Sequence, residues 1–317
     1  MLIKSEKKNG DNSHLLRIFD IAEFSIHDGP GIRTVIYFQG CNAQCDWCHS
    51  PHSQPRYAPL LLNSNICIQC KRCERACPQH AHSFQAGEHI INRKLCKQCG
   101  LCIKECPTSI SGLKGSALHL PTVEVTVYSL MEQIEPYLKL NANRYGITLS
   151  GGEALLQLEA VKELLHYCKM NGYDTAIETS GLLPLETYQQ VVPLVDTWLF
   201  GARIITGEND VRHDKHIDKV LDLLTAGGAN IIPRIPMVPS FFDQEAVLQG
   251  ITDLLINHSI MTVYFNRWNK DFNAYYIQSG IPLTMTPPSE MEIKECETKI
   301  KKYFFHLNFE EYENTQF

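Results

Sequence analysis

The sequence predicts an α/β fold: a partial (β/α)6 TIM-like barrel, left open on one side and interrupted by a small cysteine-rich insert. Three observations predict it. Beyond residue 126, short apolar strands alternate with amphipathic helices, and crossovers of that length call for a parallel sheet. About six such units are visible, fewer than the eight of a complete barrel. Between Cys41 and Cys106 stand eleven of the thirteen cysteines, at spacings few folds use.

Taken in order, 15–22 and 34–38 are apolar and β-branched and read as strands. Between them Asp28-Gly29-Pro30-Gly31-Ile32-Arg33 places two glycines around a proline, a stiff turn that lets backbone approach a neighbour closely. The second strand ends at Gln39-Gly40, and a cysteine run follows at once, at the strand end where α/β folds carry their chemistry. Residues 51–59 read as a proline-punctuated linker. A helix is expected over 126–140, with Pro121 and Thr122 available for its start. A strand over 147–150 runs into Gly151-Gly152-Glu153-Ala154. A helix over 155–170 stops at Asn171-Gly172. The strands over 174–177, 196–200, 231–235 and 261–265 alternate with helices over 184–191, 214–224, 244–257 and 289–304. Pro233 within 231–235 suits a barrel position better than an ordinary sheet centre.

The cysteines fall into three groups. Cys41, Cys45 and Cys48 form a C-x3-C-x2-C run with Trp47 before its last member. Three thiolates can hold three corners of a 4Fe-4S cubane, leaving one iron open to a small molecule. Cys67, Cys70, Cys73 and Cys77 precede Pro78, and Cys96, Cys99, Cys102 and Cys106 precede Pro107, in a repeat of 29 residues. Each run matches the bacterial ferredoxin pattern, in which the last cysteine ligates the other cluster. One 4Fe-4S cluster is therefore expected on Cys67, Cys70, Cys73 and Cys106, and its twin on Cys96, Cys99, Cys102 and Cys77. Zinc sites usually come as two separated pairs, not as tandem runs closed by proline. Disulfides require an oxidising compartment, and the polar first fourteen residues contain no apolar targeting segment.

The expected organisation is 1–59 as the start of the barrel with the cluster loop, 60–118 as a ferredoxin-like insert carrying two 4Fe-4S clusters, and 119–317 as the remainder. A net charge of −6 and a pI near 6.1 exclude a nucleic-acid binder held by phosphate neutralisation. No apolar run approaches the length of a membrane span. The expected setting is the cytoplasm, reducing and anoxic, with the protein a monomer.

These residues resemble the radical S-adenosylmethionine superfamily, and the Asp28 to Arg33 stretch and the two-cluster insert resemble its glycyl-radical-enzyme activating enzymes. The resemblance runs from about Phe19 to Phe265. It implies three 4Fe-4S clusters and S-adenosylmethionine as cofactors. It implies reductive cleavage to methionine and a 5′-deoxyadenosyl radical, which takes hydrogen from a backbone glycine of a glycyl radical enzyme, the transient partner. Flavodoxin or ferredoxin would supply electrons. By the same resemblance, Cys41, Cys45 and Cys48 hold the catalytic cluster. Gly151, Gly152 and Glu153 meet the cofactor's amino group, with Glu178, Thr179 and Ser180 as a second contact segment, and Arg234 stands near the cofactor. Trp47 either lies against the adenine or packs in the core.

The chain departs from the family pattern at several places. Ala154 stands where many relatives have proline. Phe200-Gly201-Ala202-Arg203 replaces an Asp-x-Lys strand end: Arg203 keeps the charge, but Gly201 offers no carboxylate for the cofactor or a cation. Ser240 replaces a glycine, and the histidine expected shortly after 263–268 is lacking. Two alternatives stay open on the sequence: a radical enzyme acting on a small molecule or peptide, and a non-catalytic iron-sulfur electron carrier on the same scaffold. The insert reads either as an electron relay or as a structural staple.

Overall fold

The computed structural model describes residues 14–109, 115–139, 145–201, 211–228, 230–260, 262–266, 268–269, 271–304 and 308–312. Strand β1 (Leu15–Ser25) turns back into β2 (Ile32–Phe38). Then come β3 (Leu61–Leu62), α1 (Arg72–Ala76), the hairpin β4 (His82–Gln85) and β5 (Glu88–Ile91), α2 (Leu101–Glu105) and β6 (Leu118–His119). The chain continues as β7 (Val123–Thr126), α3 (Val127–Lys139), β8 (Tyr145–Gly151), α4 (Leu158–Met170), β9 (Asp174–Thr179) and α5 (Leu185–Gln189). It ends with β10 (Thr197–Gly201), α6 (Val211–Ala226), β11 (Asn230–Pro236), α7 (Glu245–Asn257), β12 (Thr262–Asn266), α8 (Phe272–Ser279), α9 (Glu290–Tyr303) and β13 (Asn308–Tyr312).

Nine strands form one sheet in the order β13-β12-β11-β10-β9-β8-β2-β1-β7. From β2 to β13 every neighbouring pair is parallel, while β1 pairs antiparallel with both β2 and β7. The fold is thus a mixed α/β architecture with a large parallel sheet, as the strand-helix alternation predicts. Helix α4 shows how the core closes: Val161, Leu164, Leu165 and Cys168 recur at helical spacing and are all buried. Each leucine buried this way contributes about 1.5–3 kcal/mol.

Three boundaries differ from expectation for local reasons. Residues 123–126 extend as β7 because β1 offers them an unpaired edge, with Leu15 opposite Thr126 and Ile18 opposite Val123. Helix α3 is accordingly capped by Thr126, whose Oγ1 accepts the Ser129 N–H at 3.1 Å, and not by Pro121 or Thr122. The helix expected from residue 155 opens as a 3-10 turn, Ala154–Gln157, before α4 begins. Helix α8 and strand β13 carried no sequence signal that was read. Pro233 is accommodated because the pairing of β11 with β12 starts one residue later, at Arg234 opposite Tyr264.

The Asp28 to Arg33 connection is pinned by a cation. Arg33 is 1% exposed. It donates to Thr148 Oγ1 at 2.7 Å, to the carbonyls of Ile147 and Pro30 at 2.9 Å, and to Asp174 Oδ1 at 2.7 Å. One side chain therefore ties the loop to the starts of β8 and β9. Among the described residues no helix is long and apolar enough to cross a membrane.

Candidate functional site

The carboxyl edge of the parallel sheet gathers the candidate residues. Past the end of β2, Gly40 N donates to Ser53 O at 2.7 Å and Cys41 N to Gln54 O at 3.0 Å, so the cysteine loop is closed at its base. Gln39 locks that closure. Its Nε2 donates to the carbonyls of His52 and Pro55 at 2.9 and 2.6 Å, and its Oε1 accepts the Thr122 hydroxyl at 3.1 Å. Gln157 Nε2 donates to the carbonyls of Arg17 and Gln39, fastening the start of β1 to the end of β2. Within the loop, Cys48 N donates to Cys45 O at 3.1 Å, a turn that draws this pair together. Cys41, Cys45 and Cys48 are partly buried. Trp47 is buried, with its ring edge-on to Phe241 at 4.5 Å and Phe242 at 5.3 Å.

The end of β8 meets this loop backbone to backbone. Gly152 N donates to Phe38 O and Glu153 N to Gly40 O, both at 2.8 Å. A Cβ on Gly152 would lie 2.1 Å from Gly40 O and 3.3 Å from Cys41 Cβ. Gly151 has φ +104°, and a Cβ there would lie 2.4 Å from Phe38 N. Only bare backbone fits this seam. The next residue, Glu153, is 1% exposed. Its carboxylate accepts the Ser180 N–H at 3.0 Å, the Ser180 hydroxyl at 2.9 Å and the Thr179 hydroxyl at 3.1 Å. Donors in that number offset the desolvation of a buried charge.

Beside the seam lies a buried charged group. Glu178 accepts the Ser150 hydroxyl at 2.5 Å and stands 3.7 Å from Arg234. Arg234 donates to Asp28 Oδ1 at 3.1 Å and to Asn266 Oδ1 at 3.4 Å. Asp28 also accepts the Ser25 hydroxyl at 2.6 Å, and its carbonyl accepts the Thr148 hydroxyl at 2.6 Å. Burial, with the carboxylates of Asp28, Glu178 and Asp20, holds the Tyr37 phenol well above its ordinary range, so it stays neutral.

The structure therefore brings together Cys41, Cys45, Cys48, Gly151, Gly152, Glu153, Thr179 and Ser180, with Glu178 and Arg234 alongside. Arg203 lies outside the described residues. Gly201 ends β10 in register with Arg234. Ser150, Tyr37 and Asn266 carried no expectation from the sequence, and Asp28 entered it only as part of the Asp28 to Arg33 stretch. A signal for Ser150 existed: Thr148 and Ser150 alternate on one face of an apolar strand, which marks a polar interior.

In the insert, β3 and β6 pair antiparallel, Leu61 with His119 and Leu62 with Leu118, and close its base. A cavity is lined by Cys77, Cys96, Cys99 and Cys102, the four thiols expected to share one cluster. Burial pushes the Cys73 thiol up to about 12, with charge on Cys67, Cys102 and Cys106 adding. Burial likewise pushes Cys102 up to about 11, with Cys96, Cys77 and Cys99 adding. Metal binding to thiols raised in this way releases their protons.

A family profile described as a 4Fe-4S dicluster domain matches residues 66–110. The chain is 33% identical over 255 residues to the indoleacetate decarboxylase activating enzyme of Tractidigestivibacter scatoligenes, spanning 77% of this chain and 80% of that protein. It is 30% identical over 309 residues to the choline trimethylamine-lyase activating enzyme of Oleidesulfovibrio alaskensis, spanning 92% and 96%. It is 32% identical over 305 residues to the trans-4-hydroxy-L-proline dehydratase activating enzyme of Clostridioides difficile, spanning 92% and 97%.

Proposed function

Because this chain belongs to the glycyl-radical-enzyme activating enzymes of the radical S-adenosylmethionine superfamily, we propose that it installs a radical on a backbone glycine of a separate glycyl radical enzyme. The observation that carries the reading is the seam in which Gly151 abuts Phe38 and Gly152 abuts Gly40 and Cys41. It sets a three-cysteine loop directly against a buried, hydrogen-bonded glutamate at the carboxyl edge of a parallel sheet.

Cys41, Cys45 and Cys48 would hold the catalytic 4Fe-4S cluster, and their loop, closed by Gln39, fits that role. When bound, this cluster supplies the electron that splits S-adenosylmethionine into methionine and a 5′-deoxyadenosyl radical. The chain's own residues position the cofactor. Gly151, Gly152 and Glu153 take its amino group, and Thr179 and Ser180 fix the Glu153 carboxylate for that purpose. Arg234 supplies positive charge beside the cofactor and balances Asp28 and Glu178. Trp47 props the cysteine loop from the core side.

The wider architecture in this proposal is a partial (β/α)6 barrel over 1–59 and 119–317, with a ferredoxin-like insert over 60–118. The β3–β6 pair at its base and a separate apolar cluster of Leu60, Leu62, Ile91 and Leu118 support that division. The insert would carry two further clusters, on Cys67, Cys70, Cys73 and Cys106 and on Cys77, Cys96, Cys99 and Cys102, fed by flavodoxin or ferredoxin. The partner's glycine is normally buried, so its loop must leave its own fold to reach the sheet edge. Such coupled rearrangement lowers affinity and makes the complex transient.

The test is direct. Reduced, reconstituted protein mixed with S-adenosylmethionine releases 5′-deoxyadenosine, and the added partner then shows a doublet radical signal by electron paramagnetic resonance (EPR). Cofactor cleavage with no partner radical rejects the activase reading.

A further inference from the structure

The two halves of the insert repeat are not equivalent around their cysteines. His89 on β5 places Nδ1 3.5 Å from Cys67 Sγ and Nε2 3.6 Å from Cys73 Sγ. Its ring stacks on Phe84 at 4.4 Å and 14°, so its orientation is set. The backbone bonds that close the two strand pairs, Asn92 N to Ala81 O and Asn63 N to Ala117 O, both at 2.8 Å, match β5 with β3, so the repeat interval of 29 residues puts Leu60 at the corresponding place. Leu60 is 2% exposed and lines the cavity of Cys96, Cys99 and Cys102. A second difference follows the same pattern. Thr108 Oγ1 lies 3.5 Å from Cys106 Sγ, and the repeat has Gln79 there. The other four-cysteine set receives backbone donors, Ala81 N to Cys77 Sγ at 3.3 Å and Gln98 N to Cys96 Sγ at 3.4 Å.

The direction of the histidine hydrogen bonds follows from the chemistry. A metal-bound thiolate has no proton to give, so the His89 ring is the donor, through Nδ1 to Cys67 or through Nε2 to Cys73, both sulfurs of one set. His82 Nδ1 lies 2.9 Å from His89 Nε2, within hydrogen-bonding distance. The two rings form one hydrogen-bonded pair beside the Cys67 and Cys73 sulfurs. His82 also lines the cavity of the other set, so this pair of rings joins the walls of the two. Hydrogen bonds to a ligating sulfur draw charge off it and stabilise the reduced cluster, which raises the reduction potential.

We infer that His89 makes the cluster on Cys67, Cys70, Cys73 and Cys106 the higher-potential member of the insert pair. The inference rests on the two-cluster reading above. An electron entering the insert therefore rests beside His89 before it moves on.

The test is an EPR-monitored redox titration of the reconstituted holoprotein, with iron and sulfide counted in each sample. His89→Leu, which gives this cysteine set the residue type that faces the other, moves one insert wave to lower potential and leaves the other in place. His89→Asn, whose side-chain amide can overlay Nδ1, holds that wave near its wild-type position. Thr108→Val shifts the same wave in the same direction by less. Insert waves that stay put in His89→Leu, or that move together, overturn the inference alone. Loss of that cluster in His89→Leu with Thr108→Val unmoved also overturns it. Absence of insert clusters from the wild type, or zinc in their place, overturns it together with the reading beneath it.

Discussion

His52 is the residue whose setting departs furthest from what its type suggests. It follows the cysteine loop, is 1% exposed, stacks on Tyr275 at 4.1 Å and meets Phe19 edge-on at 4.9 Å. Burial, with His119 adding, lowers its pKa from 6.5 to about 3. The sign follows from linkage. The unfolded chain takes up a proton near pH 6.5 while the folded protein refuses it, so the stability contribution is complete above 6.5 and is lost as pH falls toward 3. The slope for one such group is up to about 1.4 kcal/mol per pH unit. His52→Phe keeps the ring contacts and removes the titration. Its thermal midpoint, measured anaerobically on reconstituted protein, should fall less between pH 7 and 5.5 than that of the wild type; equal falls would remove His52 from the account. The sequence marked His52 only as part of a linker, because a lone histidine shows no burial until its neighbours are in place.

At the scale of elements, the decisive contact is the end of β8 against the end of β2. The sequence showed a glycine pair after an apolar strand, which out of context is as readily a plain turn. The structure shows why both must be glycine: the space a side chain would need is taken by Phe38 and Gly40 backbone. Gly152→Ala would set a methyl 2.1 Å from Gly40 O, and backbone cannot yield as a flexible side chain can. The expected result is a displaced cysteine loop, with 5′-deoxyadenosine release reduced about a hundredfold or more, in line with the sensitivity of catalysis to 1 Å misplacements. The insert's EPR signals should persist, because the β3–β6 base does not share this seam. Wild-type release from the variant would show that the seam does not position the chemistry. Helix α9 needed no tertiary context. Its Ser289 and Glu292 form a reciprocal capping box that is readable from four residues.

For the whole molecule, the insert and the cysteine loop are coupled through α8, an element the sequence reading passed over. Arg93 of the insert donates to Gln278 O at the carboxyl end of α8, at 2.7 Å, where a cation suits the helix dipole. From the same helix, the Tyr276 hydroxyl donates to Asp46 O within the loop at 3.4 Å. This arrangement ties the insert to the cysteine loop, as either a relay or a structural staple requires. Cys70→Ser and Cys99→Ser should each slow partner activation when flavodoxin or ferredoxin is the donor; unchanged rates would leave the insert a structural role. By itself the sequence determined the chemistry on offer, because cysteine spacing reports ligand number and strand-helix alternation reports a parallel sheet through short-range geometry alone. Tertiary structure decided which groups share a site. Asp28 and Arg234 lie more than two hundred residues apart and form a buried ion pair at 3.1 Å. Likewise only the folded hairpin carries His89 to two cysteine sulfurs. Such meetings depend on strand register and crossover direction, which no local pattern encodes.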